Sequence, residues 1–371
     1  MTLAKAFRVR RRILGALGAL CVPPRVLAQA AGDGSRLAPF PRVVPGYPLR
    51  FPRDHGAHPE FRTEWWYLTG WLNERAANPH GFEITFFRTR PRLEHDNPSG
   101  FTPQQLLIAH AALTDPGHAR LQHDQRTARA GFALAGAESG KASVWIDDWS
   151  LAQEGTGFQA RITARGFAFE FSFAPVQSPL LNGEAGFSRK GAERDAASYY
   201  YSMPQLAVSG TLTRNARTEA VAGTAWLDHE WSSSYLERGA VGWDWIGINT
   251  GDGGALMAFR MRDRDGNTRW AGATYRGSDG KTRTYDPHEV GFVPRRTWRS
   301  PRSGTVYPVA MDVTVGAIEI VLEPLIDDQE FDARLSTGAI YWEGAVHARR
   351  GGEPFGRGYL ELTGYWRALR V

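Results

Sequence analysis

The sequence predicts an almost entirely β-stranded protein of two domains, and three observations support this fold class. Alternating apolar and polar residues recur in short runs, as at 166–173, where four phenylalanines share one face of an extended segment. Glycine and Asp/Asn clusters typical of hairpin turns separate the runs, as at 251–254, 263–267 and 277–280. The chain of 371 residues is also too long for one small barrel or sandwich. No window of helical length has a 3.6-residue period, and the best short helix candidate is 191–198.

The first 30 residues are expected to be a cleaved signal peptide. They hold six basic residues and no acidic one, an apolar run at 13–22, and small residues at 28–30 where a signal peptidase cleaves. Arg10 and Arg11 fit the twin-arginine pattern, which predicts export to the periplasm or beyond; an Arg-rich Sec signal is the alternative. The run is shorter than the roughly 20 residues of a permanent membrane span, so no span is expected. Residues 31–50 are interpreted as a linker.

Composition excludes several classes of function. Six of the 44 basic residues leave with the signal peptide, after which basic residues nearly balance the 39 acidic ones. The basic pI is therefore no indication of nucleic-acid binding. The only cysteine, Cys21, leaves as well, so no disulfide, thiolate nucleophile or cysteine metal site is expected. Gly-x-Ser-x-Gly elbows, phosphate loops and dinucleotide fingerprints are absent from the sequence, and no cofactor is predicted.

The two halves of the mature chain begin and end in similar strands, which suggests an internal duplication. Trp-rich segments open the halves at 64–70 and 242–247, and related segments close them at 223–228 and 359–364. Between the halves lies the stretch 232–239. We therefore expect an N-terminal domain over 51–234 and a C-terminal domain over 235–371.

Four segments concentrate aromatic and polar residues beyond the needs of ordinary strands: 58–67, 110–115, 223–231, and 341–344 with 358–365 close behind. In this order they resemble the carotenoid 1,2-hydratase-like (CrtC/AttH) family, from about Phe51 to the C-terminus. Glu-Trp-Trp-Tyr-x-x-Gly at 64–70 and Asp-His-Glu-Trp at 228–231 carry most of the resemblance. It implies two lipocalin-like antiparallel β-barrels packed together, the N-terminal one hydratase-like. It also implies an apolar ligand of isoprenoid, carotenoid or lipid type. Hydro-lyase activity is one interpretation of this resemblance, and it stays open because one fold hosts many functions.

Residues 228–231 are the best chemical candidates. On a strand, Asp228 and Glu230 face one side, and His229 and Trp231 face the other. An acid whose pKa is raised by an apolar pocket could protonate an alkene, and tryptophan faces could stabilise the resulting cation. Catalytic roles are therefore assigned to Asp228, His229 and Glu230. The alternative is a buried polar network that locks the strand end.

We expect eight of the candidates to approach one another around the first barrel and its joint with the second: His58, Glu64, Trp66, Asp228, His229, Trp231, Trp243 and Tyr341. The residues expected to bind the ligand are His58, Glu64, Trp65, Trp66, Tyr67, His110, Trp231, Trp243, Trp245, Tyr341, Trp342 and Glu343. His110 is interpreted as a hydrogen-bonded core histidine, because Asp115 lies five residues on and would face the other side of a strand. His55 and His58 are of metal-ligand type, but no second cluster completes a site, so no metal is predicted.

The sequence therefore predicts an exported protein that binds an apolar small molecule. It would be either an isoprenoid-modifying enzyme that uses acid catalysis or a non-catalytic periplasmic carrier or accessory protein of an export system. A carrier needs only a cavity, whereas a hydratase also needs a carboxylic acid and a water inside it.

Overall fold

The computed structural model describes residues 40–74, 78–91 and 102–369, so the expected signal peptide and residues 31–39 of the expected linker lie outside the described residues. Apart from strands, the regular elements within these ranges are three short 3-10 turns, Arg53–His55, Pro116–His118 and Pro287–Glu289. The predicted all-β class is confirmed. Within the described ranges, no helix has the length and apolar character needed to cross a membrane.

No helix forms at 191–198, the best short helix candidate in the sequence. Residues 191–196 form bends and a turn, and Ala197 begins a strand. The carboxylate of Glu237 accepts a hydrogen bond from the backbone N–H of Ala192.

Among the described residues, thirteen strands form the first sheet. They are β1 (Thr63–Leu72), β2 (His80–Thr89), β3 (Leu106–Thr114), β4 (Gln122–Arg129), β5 (Ala135–Ala137), β6 (Ser143–Ile146), β7 (Trp149–Glu154), β8 (Gly157–Thr163), β9 (Phe167–Ala174), β10 (Leu180–Leu181), β11 (Phe187–Arg189), β12 (Ala197–Arg214) and β13 (Arg217–Ser234). The spatial order is β4-β3-β2-β1-β13-β12-β9-β8-β7-β6-β5, with β10 and β11 paired to β12.

Ten strands form the second sheet. They are β14 (Gly242–Thr250), β15 (Ala255–Arg262), β16 (Thr268–Arg276), β17 (Thr282–Tyr285), β18 (Val290–Arg299), β19 (Val306–Val315), β20 (Ile318–Pro324), β21 (Glu330–Ala333), β22 (Ala339–Arg350) and β23 (Glu353–Leu362). The order is β17-β16-β15-β14-β23-β22-β20-β19-β18, and β21 pairs with β22. The predicted turns at 251–254, 263–267 and 277–280 connect β14 to β17.

Each sheet curls around its own apolar core. The alternating phenylalanines of β9 all enter the core of the first barrel, as their spacing predicts. Arg126 on the edge strand β4 donates a hydrogen bond to the carbonyl of Ile146 on β6, which joins the two ends of that sheet. The second barrel has a separate core that includes Trp342, Tyr307 and Met311. Truncating one such buried aromatic to alanine costs about 3–5 kcal/mol.

The two barrels pack through the outer faces of their first and last strands. In each half these strands are neighbours, since β1 pairs with β13 and β14 pairs with β23. We call the layer between the barrels the seam. Its apolar part contains Tyr67, Trp71, Leu180, Tyr200, Trp226, Trp245, Ala255, Met257, Phe259, Met261, Ala345 and Tyr359, with a smaller patch of Ala112, Leu121, Phe331, Ala333 and Tyr341. Polar groups in this layer are thus removed from water.

Candidate functional site

Strands β1 and β13 carry most of the candidate residues, and their backbones divide these residues into two groups. Tyr67 pairs with Asp228, and Trp66 pairs with His229, in antiparallel register. The residues on the side of the first barrel are His58, Glu64, Trp66, His229 and Trp231. The residues in or beside the seam are Trp65, Tyr67, His110, Asp228, Glu230, Trp243, Trp245, Tyr341 and Glu343.

The expectation of one cluster of eight residues is therefore wrong. His229 and Trp231 point into the first barrel, whereas Asp228 points into the seam on the other side of the same strand. The period of two along a strand imposes this separation. His229 consequently cannot act on the same substrate atoms as Asp228. Trp342 was expected among the ligand-binding residues, but it lies apart from them. It is fully buried in the core of the second barrel, where its indole N–H donates to the carbonyl of Asp327.

Inside the first barrel, His58, Glu64, Arg88 and His229 form a polar network that we call the histidine–glutamate cluster. Oε1 of Glu64 lies 2.7 Å from Nδ1 of His58 and 2.9 Å from Nε2 of His229. Oε2 of Glu64 accepts from Nε of Arg88 at 2.8 Å. Burial opposes ionisation of Glu64, but Arg88 and the two histidines outweigh it and hold its pKa well below the usual range.

The two histidines of this cluster differ in charge. Burial would lower the pKa of His58, but hydrogen bonds to Asp54 and Glu64 raise it to about 9, so this ring is protonated at neutral pH. Burial lowers the pKa of His229 and keeps that ring neutral. The His58 ring stacks on Trp231 with centroids 3.8 Å apart, and the His229 ring stacks on Trp66 at 4.7 Å.

Two imidazoles and a carboxylate are ligand types that suit zinc or iron, and donor atoms of His58, Glu64 and His229 lie within 4.8 Å of one another. Here those donors are engaged. Arg88 is bonded to Glu64, and a protonated His58 has no lone pair to offer a metal. We therefore interpret the cluster as an ion-pair network that anchors the segment around His58 over the end of the barrel. Arg88 supports this, because its NH2 group donates to the carbonyls of His58 and Phe61.

On the seam side, Asp228 lies in a dense set of donors. Its carboxylate accepts hydrogen bonds from the hydroxyls of Tyr200 and Ser202, both at 2.5 Å, and from the indole N–H of Trp226 at 2.6 Å. The indole of Trp245, from the second barrel, donates to the Tyr200 hydroxyl at 2.9 Å. Burial raises the pKa of Asp228 to about 7 despite these three donors. Asp228 is thus a buried acid that can hold or release a proton near neutral pH.

Glu230, two residues along the same face, is already paired. Nζ of Lys190 lies 2.9 Å from its carboxylate, and the Ser198 hydroxyl also donates to it. The Lys190 ammonium lies over the rings of Tyr200 and Phe259, at 4.6 and 4.2 Å from their centroids. This buried pair therefore links both barrels and gives Glu230 a structural partner.

Three further acids meet in the seam: Glu83 of β2, Glu343 of β22 and Glu361 of β23, which we call the seam carboxyl cluster. Glu343 and Glu361 are directly opposite each other on neighbouring strands. Thr85 donates to Glu83 at 2.7 Å, and the Trp243 indole donates to Glu361 at 2.7 Å. Sequence reasoning selected Glu343 but missed Glu83 and Glu361, because an acid in an alternating strand is ordinarily read as facing water.

His110 joins the barrels by hydrogen bonds. Its Nδ1 lies 2.8 Å from the Tyr341 hydroxyl and its Nε2 lies 2.8 Å from the Ser336 hydroxyl. Burial lowers the pKa of His110 to about 3, so the ring is neutral. Asp115 pairs with Arg214 instead of His110.

One end of the seam opens into a cleft of ≈ 480 Å³ whose walls come from both barrels. Trp71 forms part of its floor and contacts the ring of His347, with centroids 4.7 Å apart. Arg357 lines the cleft and pairs with Glu74 at 2.8 Å. The cleft reaches the aromatic layer at Trp71, whereas Asp228 and the seam carboxyl cluster do not line it.

Known proteins resemble this chain over most of its length. The sequence profile of the AttH-like family matches residues 42–365. A protein of Nitrosomonas europaea assigned as an AttH, with a crystal structure, is 53% identical with a TM-score of 0.83, covering 88% of this chain and 99% of that chain. Kievitone hydratase from Nectria haematococca is 14% identical with a TM-score of 0.65, covering 88% and 94%, and shares the fold alone. The search of curated proteins found no match.

Proposed function

This chain belongs to the AttH-like family, and from that premise we propose that it binds an apolar small molecule in the seam and protonates it from Asp228. We also propose that it acts in the periplasm or outside the cell, on the strength of its twin-arginine-like leader. An export-system component is a second candidate partner. Kievitone hydratase is a hydratase by name, and the shared fold makes alkene hydration a reasonable chemistry to test.

The seam is favoured over the barrel interiors as the ligand site. Large side chains such as Trp66, Phe169 and Trp342 occupy the two barrel cores. The seam combines aromatic surface with buried carboxyl groups. The cleft beside Trp71, of ≈ 480 Å³, is within the usual size range of small-molecule sites, about 300–1,000 Å³.

The observation that carries the proposal is the buried Asp228 carboxyl beside the indoles of Trp226 and Trp245. With a pKa of about 7, it holds a proton in an appreciable fraction of molecules at neutral pH. In a hydration, that proton would form a C–H bond as the alkene π bond breaks. A water would add to the resulting cation and return its proton to the carboxylate, so the sum is addition of water to the alkene. The hydroxyls of Tyr200 and Ser202 would stabilise the carboxylate between these steps.

A non-catalytic carrier is the second candidate, and one observation favours it. Asp228 already has three hydrogen-bond donors, which is how a structural carboxylate in a seam would be satisfied. The two functions differ in whether Asp228 is needed for a reaction or only for folding.

The test compares D228N with E230Q, a neighbouring acid on the same face. Protein purified from its own periplasm is analysed by native mass spectrometry for a retained ligand, and by product analysis for hydration of an isoprenoid alkene. If the protein is an enzyme, D228N should still bind the ligand but hydrate the alkene about 100-fold more slowly or worse. Folded E230Q should retain both ligand binding and hydration. Ligand retention without hydration by the wild type would establish a carrier. No ligand and no hydration in the wild type would refute the proposal.

A further inference from the structure

The seam carboxyl cluster has no cationic partner among the described residues. Basic residues nearby are taken up elsewhere, Lys190 by Glu230 and Arg357 by Glu74. Glu83 and Glu343 are only 2% and 3% exposed. Glu361 is half-buried, as is Trp243, which donates to it, so the cluster has an edge that reaches solvent. Buried carboxyl groups are normally paired or neutralised.

Strand register brings the three acids together from both barrels. Glu343 and Glu361 are opposite each other, and their faces are those of Ala345 and Tyr359, which pack against the first barrel. Gly81 of β2 packs closely against Ala345 and Tyr359. A Cβ atom added to Gly81 would lie 2.6 Å from Cβ of Ala345 and 2.7 Å from the Tyr359 hydroxyl. Glu83 is the next residue along that face of β2. The first barrel therefore delivers a third acid to the Glu343–Glu361 pair.

Three polar atoms in this place have no well-formed hydrogen bond: Oε2 of Glu83, and the Tyr67 hydroxyl and Oε1 of Glu343, which lie close enough to influence each other. Tyr67 is itself only 7% exposed. It pairs with Thr85 across β1 and β2, one position along the same face from Glu83, so its ring lies beside the acids. Unpaired buried polar atoms are rare in native proteins and call for an occupant. The three acids and Tyr67 are close enough to influence one another's ionisation, and the acids lack a group that could donate hydrogen bonds to them.

We propose that the seam carboxyl cluster binds an organic ammonium group, so that the molecule held in the seam is an apolar amine. This inference rests on the proposed function in one respect, the binding of a small molecule in the seam. A metal ion fits less well, because no three oxygens of these acids lie within 4.8 Å of one another, whereas Ca²⁺ holds its oxygens at about 2.3–2.6 Å. An ammonium needs no such convergence, because hydrogen bonds of about 2.8 Å to two of the acids are enough to hold it. Tyr67 and Tyr359 add aromatic faces that attract cations.

The titration behaviour of the cluster agrees with this geometry. Burial raises the pKa of Glu83 to about 8, and burial together with neighbouring acids raises the pKa of Glu361 to about 7. Burial and the two other acids also raise the pKa of Glu343 well above its usual value. The empty cluster therefore holds protons where a bound cation would sit. Binding an ammonium would release these protons, so affinity should increase with pH.

The test uses two probes of equal chain length, hexylammonium and 1-hexanol, with the full-length mature protein. We expect hexylammonium to bind more tightly than hexanol, with an affinity that increases between pH 6.5 and 8 while hexanol shows no such trend. E343Q and E361Q should each weaken hexylammonium binding by about tenfold or more, because each removes a charge-assisted hydrogen bond. Hexanol binding should not change. E330Q is the matched control, since Glu330 is buried but held by Ser300 and Ser303.

The outcomes separate this inference from the proposed function. If hexanol binds and hexylammonium binds no more tightly, the ammonium site is refuted while seam binding stands. If neither binds, both proposals fail. Glu343-dependent binding of Ca²⁺ or Mg²⁺ without amine binding would also overturn the assignment. Circular dichroism and melting curves check that each variant is folded. If E343Q does not fold, E361Q takes its place, because Glu361 is only half-buried.

Discussion

Glu343 and Glu361 lie directly opposite each other on the antiparallel strands β22 and β23, on the side of the second barrel that packs against the first. Like charges in this position destabilise a sheet. Burial raises the pKa of both carboxyl groups, so the pair carries less than its full negative charge near neutral pH and the repulsion is reduced. We therefore expect the contact between the barrels to depend on pH.

The first prediction concerns stability above pH 6.5. Glu83 and Glu361 have folded-state pKa values of about 8 and 7, above the ordinary 4.5. The folded protein therefore binds more protons than the unfolded chain in this range, so the free energy of unfolding should fall as pH rises from 6.5 to 8. Urea denaturation at several pH values measures this. E343Q should flatten the decline, E330Q should preserve it, and a wild-type stability that increased with pH would contradict the assignment.

The second prediction concerns acid. Burial lowers the pKa of His55 to about 4, of His110 to about 3 and of His123 to about 4, all from 6.5. The unfolded chain binds more protons below pH 6.5, so these groups lose their stabilising effect as pH falls from 6.5 toward 4. H110N removes one titrating ring and should reduce the slope of unfolding free energy against pH by up to about 1.4 kcal/mol per pH unit. An unchanged slope in a folded H110N protein would argue against a neutral His110.

The third prediction concerns the histidine–glutamate cluster. R88M leaves the fully buried Glu64 without its guanidinium, and we expect it to cost about 3–5 kcal/mol in the free energy of unfolding. R161M is the matched control, because the Arg161–Glu170 pair is 66% and 63% exposed and should contribute less than about 1 kcal/mol. Chemical denaturation of both variants makes the comparison. Equal losses would mean that the buried network does not anchor the barrel end.

The fourth prediction concerns export and involves residues outside the described ranges. Replacing Arg10 and Arg11 with lysine should leave precursor in the cytoplasm if the twin-arginine route is used. Fractionation followed by mass determination of the mature N-terminus, expected near Ala31, measures this. Normal export of the double variant would identify the leader as a Sec signal.

The sequence alone was sufficient for the features that depend on local periodicity. The Phe-rich strand β9, the hairpin turns between β14 and β17, and the opposite directions of Asp228 and His229 follow from the two-residue period and from turn chemistry. These properties belong to each segment and do not need the rest of the chain. The family resemblance at 64–70 and 228–231 added the pair of barrels, which periodicity by itself left as barrel or sandwich.

Tertiary structure alone decided what each strand face meets. Asp228 gains its donors from Tyr200 and Ser202 of β12, and the pairing of barrels brings Glu83 to Glu343 and Glu361. In sequence, Glu83 looks like any acid on the polar face of an alternating strand. An outward strand face is solvated when the barrel stands alone and buried when a second barrel docks on it, and the alternation pattern is the same in both cases. The pKa values that make this seam a candidate site arise from that docking, because desolvation depends on the distant surface that excludes the water.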